Sequence, residues 1–84
     1  MIVSESIINP ILRSIDVLYM NGKLSISDTE DLSETINWMI GQSLNESNIS
    51  YVIDSLRSFK NEFNKEQVSS IINEFRKICG SYLT

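Results

Sequence analysis

Four segments of the chain carry apolar residues at spacings of three and four, which is the period of an amphipathic α-helix. Alternation of apolar and polar residues, the mark of a half-buried strand, is confined to one short run after Asn21-Gly22. The pattern therefore argues against a sheet protein and predicts an all-α fold. The four apolar stripes are Ile7, Ile8, Ile11, Leu12, Ile15, Leu18 and Tyr19; Leu32, Ile36, Met39 and Ile40; Ile49, Val52, Ile53, Leu56, Phe59 and Phe63; and Val68, Ile71, Ile72, Phe75, Ile78, Cys79 and Tyr82.

Capping residues predict where these helices begin and end. Proline is favoured at the first helical position, so Pro10 predicts a first helix that starts beside it, with Asn9 as the cap. Ser27 followed by Glu30 has the form of a capping box, and Asn64 opens the last helix in a similar way. The sequence predicts helices over 9–21, 28–41, 48–63 and 65–79.

A chain of 84 residues is long enough for one small domain, so residues 1–84 are expected to form a single unit. Four amphipathic helices with short connections bury their stripes best as a small antiparallel four-helix bundle. The predicted bounds leave almost no loop between the third and fourth helices. Phe59, Ile72 and Phe75 are expected to lie in the core.

The residues required by several kinds of catalysis are missing. The sequence contains no histidine, which excludes Ser-His, Cys-His and His-ligated metal chemistry. It also lacks a glycine-rich phosphate loop, and its single cysteine, Cys79, lies on an apolar stripe as an inert core residue would. We therefore expect a protein that is not an enzyme, with no catalytic residue, cofactor or metal site.

Charge and the N-terminal residues bear on partners and location. Eleven acids and seven bases give a net charge of −4, which disfavours nucleic-acid binding. No basic residue precedes the first apolar run, so no secretory signal is expected. The chain also lacks an apolar run long enough for a membrane span. We expect a cytoplasmic protein that does not insert into a membrane; peripheral association stays open.

The acidic residues are unevenly distributed along the chain. Residues 1–42 hold six acids and two bases, whereas residues 43–84 hold five of each. The acids are densest at Asp28, Glu30, Asp31 and Glu34, with no base among them. Acids in a first helical turn favour the helix dipole. The alternative is an acidic surface that docks a basic partner.

Trp38 falls away from the apolar stripe of the second helix, with Glu34 one turn and Asp31 two turns before it. An aromatic residue flanked by carboxylates is typical of a binding hot spot for a cationic partner. Trp38, Asp31, Glu34 and Asp28 are therefore the predicted partner-binding residues. The alternative is that the first helix, or the segment before Pro10, covers Trp38 as part of the core.

Residues 44–80 add a resemblance to a known family. A polar turn leads into a helix that ends Ser58-Phe59-Lys60-Asn61-Glu62-Phe63, and Asn64-Lys65-Glu66-Gln67 then opens a helix that contains Ile71-Ile72-Asn73-Glu74-Phe75-Arg76-Lys77-Ile78-Cys79-Gly80. This segment resembles the second half of the small four-helix immunity proteins that protect producers against class II bacteriocins. The resemblance implies a cytoplasmic bundle without catalytic residues, acting at the membrane face on a bacteriocin-engaged sugar-transporter complex.

The expected function is therefore binding to another protein, one with a basic surface. The leading hypothesis is an immunity-type protein that neutralises a toxin or bacteriocin by complex formation. The alternatives are a small regulator or secretion chaperone that binds a partner helix, and a phage- or plasmid-type inhibitor of a host enzyme. Self-association is left open, since an apolar flank at Ile2, Val3 or Leu83 would allow two copies to pair.

Overall fold

The computed structural model describes residues 1–83 and contains four α-helices, which confirms the predicted all-α four-helix bundle. The helices are α1 (Glu5–Met20), α2 (Ile26–Asn37), α3 (Glu46–Arg57) and α4 (Lys65–Ser81). Each helix packs against the next along the chain, and α4 returns to pack against α1. Short connections between adjacent helices make each pair antiparallel, so the four helices form a closed ring around one core.

The core is built from one stripe of each helix, as the spacing predicted. Ile72 and Phe75 are buried, whereas Phe59 is only half-buried at the edge of the core. The stripe assignments of Tyr19, Phe63 and Tyr82 were wrong, because all three side chains are exposed, Phe63 by 94%. The largest fully buried side chains are Val3, Ile8, Ile11, Ile15, Leu32, Ile36, Met39, Val52, Leu56, Val68, Ile71 and Phe75.

Helix α1 begins at Glu5, four residues before the predicted start, and Pro10 lies inside it. Pro10 has no N–H to donate to the carbonyl of Ser6, four residues earlier. Ser6 lies at the surface, where water can take that bond. The extra turn buries Ile7 and Ile8, and this apolar burial outweighs the missing hydrogen bond.

Helix α2 begins two residues earlier than predicted and ends earlier as well. Ser25 caps it by accepting a hydrogen bond from the backbone N–H of Asp28 at 3.0 Å, so the predicted capping box at Ser27 was wrong. The helix stops at Asn37, and the chain then turns until Gly41. Gly41 has φ of +87°, a conformation that glycine adopts without steric cost.

Helix α3 begins after Asn45, whose Oδ1 accepts from the backbone N–H of Asn48 at 2.8 Å. It ends at Arg57, six residues before the predicted end, so a seven-residue connection over 58–64 replaces the expected tight junction. The buried Asn64 organises this loop, since its Oδ1 accepts from the Asn61 N–H and its Nδ2 donates to the Phe59 carbonyl. The loop carries Phe63 to the surface, and Asn64 makes no side-chain cap to α4.

The first three residues run antiparallel to the connection between α2 and α3. The N–H of Val3 donates to the Gln42 carbonyl at 2.9 Å, and the N–H of Gly41 donates to the Val3 carbonyl at 2.8 Å. The pairing buries Val3 completely, so it is not part of an exposed apolar flank, whereas Ile2 and Leu83 remain exposed. The N-terminal segment therefore fastens the α2–α3 connection to the bundle.

Candidate functional site

A concave groove with a volume of about 270 Å³ lies between α2 and α3. These two helices contact each other less closely than any other adjacent pair in the bundle. The α2–α3 groove is the cavity lined by Asp31, Glu34, Thr35, Trp38, Tyr51, Ser55 and Phe59. Three of the four predicted partner-binding residues thus meet in one cavity.

Two aromatic side chains form one part of the groove lining. Trp38 directly follows α2 as its C-terminal cap, and its ring centroid lies 4.5 Å from that of Tyr51 on α3. The two ring planes are inclined by 49°. Trp38 retains 38% of its exposure and Tyr51 retains 55%. The Trp38 ring therefore packs on a helix that neither sequence interpretation named, and over a third of the residue's surface stays accessible to a partner.

Two carboxylates on α2 give the groove a negative charge. Asp31 is half-buried and Glu34 is exposed. Within residues 1–83, neither carboxylate has an ion-pair or hydrogen-bond partner. The seven lining residues include no base. A cation that enters the groove therefore meets no resident positive charge.

The hydroxyls of Thr35 and Ser55 act as acceptors toward an incoming ligand. Thr35 Oγ1 donates a hydrogen bond to the Asp31 carbonyl, and Ser55 Oγ donates one to the Tyr51 carbonyl, each at 2.8 Å. Both protons are thus used within their own helices, which leaves oxygen lone pairs for other groups. Only the Trp38 indole N–H and the Tyr51 hydroxyl remain as side-chain donors among the lining residues. The lining is therefore rich in acceptors and poor in donors.

Asp28, the fourth predicted partner-binding residue, lies apart from the groove lining. It is half-buried in the first turn of α2, where its Oδ2 accepts from Asn64 Nδ2 at 3.0 Å. This bond ties the start of α2 to the loop between α3 and α4. Asp28 therefore has a structural contact and lies outside the groove, and its part in partner binding stays a prediction.

Tyr51, whose ring packs against Trp38, was not among the predicted partner-binding residues. Tyr51 falls between the stripe positions Ile49 and Val52, so the helical period alone predicts that it faces away from the core. Trp38 is the first residue of the α2–α3 connection and Tyr51 lies in the second turn of α3, and the packing of the two helices brings their rings together. That juxtaposition was available only once the helix bounds were known.

Other potential sites carry less chemistry. Within residues 1–83, no group of three or more Cys, Asp or Glu side chains is arranged to hold a metal ion. Cys79 is buried as predicted, and burial raises the pKa of its thiol to about 11, so the thiol stays protonated at neutral pH. None of the helices in the described part of the chain is both long and apolar enough to cross a membrane.

Comparison of the chain with protein-family models, with curated proteins and with solved structures gave no match. The fold and the groove are therefore interpreted from their own geometry.

Proposed function

We propose that this chain is a non-catalytic, immunity-type binding protein of the cytoplasm, which neutralises a toxin or bacteriocin by forming a complex. Its partner presents a basic surface, and the α2–α3 groove receives it. The observation that supports this proposal is the meeting of two half-accessible aromatic rings and two unpaired carboxylates in one concavity.

The division of roles in such a complex follows from the side chains. Trp38 and Tyr51 offer large, rigid apolar area, and tryptophan and tyrosine are enriched among residues that dominate binding energy. Asp31 and Glu34 attract and orient a basic partner, which mainly raises the association rate. The core is not disturbed, because the buried stripes of all four helices stay inside the bundle.

A second candidate function is a regulator or secretion chaperone that covers an apolar segment of its partner. Phe63 and Met20 favour it, since both side chains are exposed in the half of the bundle that holds the 21–25 and 58–64 connections. This function requires an extended apolar groove. The α2–α3 groove is instead lined by carboxylates and hydroxyls as well as rings, which favours the toxin-binding proposal.

The test is an affinity capture from the native host, with the neighbouring reading frames identified and the captured partner then titrated in purified form. We expect a small basic toxin. Trp38→Ala should weaken its binding by about 2 kcal/mol or more, which is roughly a 30-fold rise in Kd, with little change in thermal stability. Tyr19→Ala is the matched control, because Tyr19 is an exposed aromatic residue on α1.

Charge reversal at Asp31 and Glu34 should mainly slow association and flatten its dependence on salt. A partner from a secretion apparatus would contradict the proposal and support the chaperone role. Unchanged affinity of the Trp38→Ala variant would contradict the groove as the binding surface.

A further inference from the structure

The lining of the α2–α3 groove indicates which kind of cation binds there. This inference rests on the proposed function. We propose that the groove receives an arginine side chain of the partner, with the guanidinium against the Trp38–Tyr51 pair and its N–H groups directed to the acceptors of the lining. Two features of the groove support this: the geometry of the aromatic pair and the excess of hydrogen-bond acceptors over donors in the lining.

The aromatic pair fits a planar cation. Ring faces attract cations, and the guanidinium of arginine stacks on them as well. Because the ring centroids of Trp38 and Tyr51 lie only 4.5 Å apart, with planes inclined by 49°, no group fits between the two rings. A flat group can instead lie against the part of either residue that stays exposed.

The polar lining fits a ligand with many donors. Asp31 and Glu34 supply carboxylate oxygens without partners, and the hydroxyl oxygens of Thr35 and Ser55 add further lone pairs. Arginine presents five N–H donors in a fixed fork and no acceptor. It also pairs with carboxylates through two parallel hydrogen bonds, which a lysine ammonium does not do.

The other cations match this lining less well. A quaternary ammonium group has no N–H, so it would leave the carboxylates and both hydroxyl oxygens without hydrogen bonds. A lysine ammonium has three donors on a compact and strongly hydrated charge. A quaternary ammonium group and a lysine ammonium would each neutralise the negative charge of the groove. Only the guanidinium also satisfies the hydrogen-bond acceptors of the lining and lies flat on its aromatic rings.

The test uses Trp38 as a built-in reporter, since it is the only tryptophan in the chain. The probe is the blocked peptide acetyl-Gly-Arg-Gly-amide, titrated at low ionic strength while Trp38 fluorescence is recorded. Two matched peptides replace the arginine with citrulline, which has nearly the same shape without the charge, or with lysine. We expect saturable binding of the arginine peptide with a Kd on the order of 1–10 mM, as befits a single side chain.

The citrulline peptide should bind at least tenfold more weakly, and the lysine peptide should bind several-fold more weakly. Tyr51→Ala and the double variant Asp31→Asn/Glu34→Gln should each weaken arginine binding, while Tyr19→Ala should leave it unchanged. Circular dichroism checks that each variant is folded. No saturable change, equal binding of the citrulline or lysine peptide, or unchanged binding by Tyr51→Ala would overturn the proposal.

The peptide titration and the partner capture fail independently. If a basic toxin is captured but the arginine peptide gives no response, the guanidinium site is wrong and the proposed function stands. If the peptide binds as expected but no toxin is found, the site stands and the proposed function fails.

Discussion

Two grooves between helices, one formed by α1 and α4 and the other by α2 and α3, satisfy their polar groups in different ways. The α1–α4 groove has a volume of about 350 Å³ and is lined by Arg13, Ser14, Val17, Leu18, Ser70, Ile71 and Glu74. Across it, Ser14 Oγ donates to Glu74 Oε1 at 2.9 Å. Within residues 1–83, no side-chain hydrogen bond of this kind joins α2 to α3; Thr35 and Ser55 donate back to their own helices.

The difference separates a carboxylate that holds the fold from one that is free for a partner. Glu74 has a cross-helix donor, and Arg13 lines the same groove. Within residues 1–83, no side chain donates to the carboxylate of Asp31 or Glu34, and the α2–α3 groove lining contains no base. Aliphatic side chains line the first groove and aromatic side chains line the second, and this difference supports the same division of roles. The α1–α4 side serves stability, and the α2–α3 side is the one proposed to bind.

The largest expected effect concerns the aromatic residues of the two sides. Phe75 on α4 is fully buried, so Phe75→Ala should lower the free energy of unfolding by about 3–5 kcal/mol. Phe59 at the edge of the α2–α3 groove is half-buried, and Phe59→Ala should cost less than half as much. Urea unfolding followed by circular dichroism measures both. Equal losses would show that the groove side is packed as tightly as the rest.

Asn64 closes the α2–α3 side at one end, and its loss should be the next largest effect. Its buried amide bonds Asp28, Asn61 and the Phe59 carbonyl. Asn64→Ala removes these bonds and leaves part-buried groups without their protein partners, so we expect a loss of about 2 kcal/mol in the same unfolding assay. Asn73→Ala on the exposed face of α4 is the control and should be nearly neutral. A loss as small as that of the control would contradict the structural role assigned to this amide.

A smaller effect is expected when the same substitution, serine to alanine, is made in each of the two grooves. Ser14 Oγ has the Glu74 carboxylate within 2.9 Å and the Pro10 carbonyl within 3.1 Å. Ser14→Ala should cost about 1 kcal/mol, because the hydrogen bond to the carboxylate is lost. Ser55→Ala should be close to neutral, since its bond lies within one helix and alanine favours helix. Similar losses for the two variants would erase the distinction between the grooves.

The sequence predicted the four helices because their stripes are long and regular, but it misplaced their ends. Packing of Ile7 and Ile8 extends α1 through Pro10, against the local preference of proline. The hydrogen bonds of Asn64 shape the loop where the stripe suggested a continuing helix. In the first case burial in the shared core outweighs the local signal. In the second, the side-chain hydrogen bonds of Asn64 do so, two of them within five residues and one to Asp28 on α2.

Whether a residue's place depends on helical spacing or on contacts with other segments also decides which site residues could be predicted. Asp31, Glu34 and Trp38 share one helix and its immediate end, so helical spacing alone places them together. Tyr51 lies beside these residues because its ring on α3 contacts that of Trp38. Asp28 lies apart from them and is hydrogen-bonded to Asn64. Such pairings depend on how the helices dock, which the periodicity of a single helix does not specify.

The smallest expected effect has the opposite sign and probes the free carboxylates directly. Asp31 and Glu34 are like charges three residues apart on one helix, and Glu34 lies in the last turn of α2, where the helix dipole disfavours negative charge. With no cation beside them, the double variant Asp31→Asn/Glu34→Gln should raise the stability by about 0.5 kcal/mol, or about 2–4 °C in Tm. Added salt should shrink this gain, because it screens the repulsion in the original protein.

Glu74→Gln is the control in the other groove and should lower the stability, because the carboxylate accepts the stronger hydrogen bond. Circular dichroism melts at low and high salt measure both variants. A double variant that melts lower than the original would mean that Asp31 and Glu34 support the fold as Glu74 does. A double variant that melts higher yet binds the partner more weakly would show that these two charges reduce stability and contribute to binding.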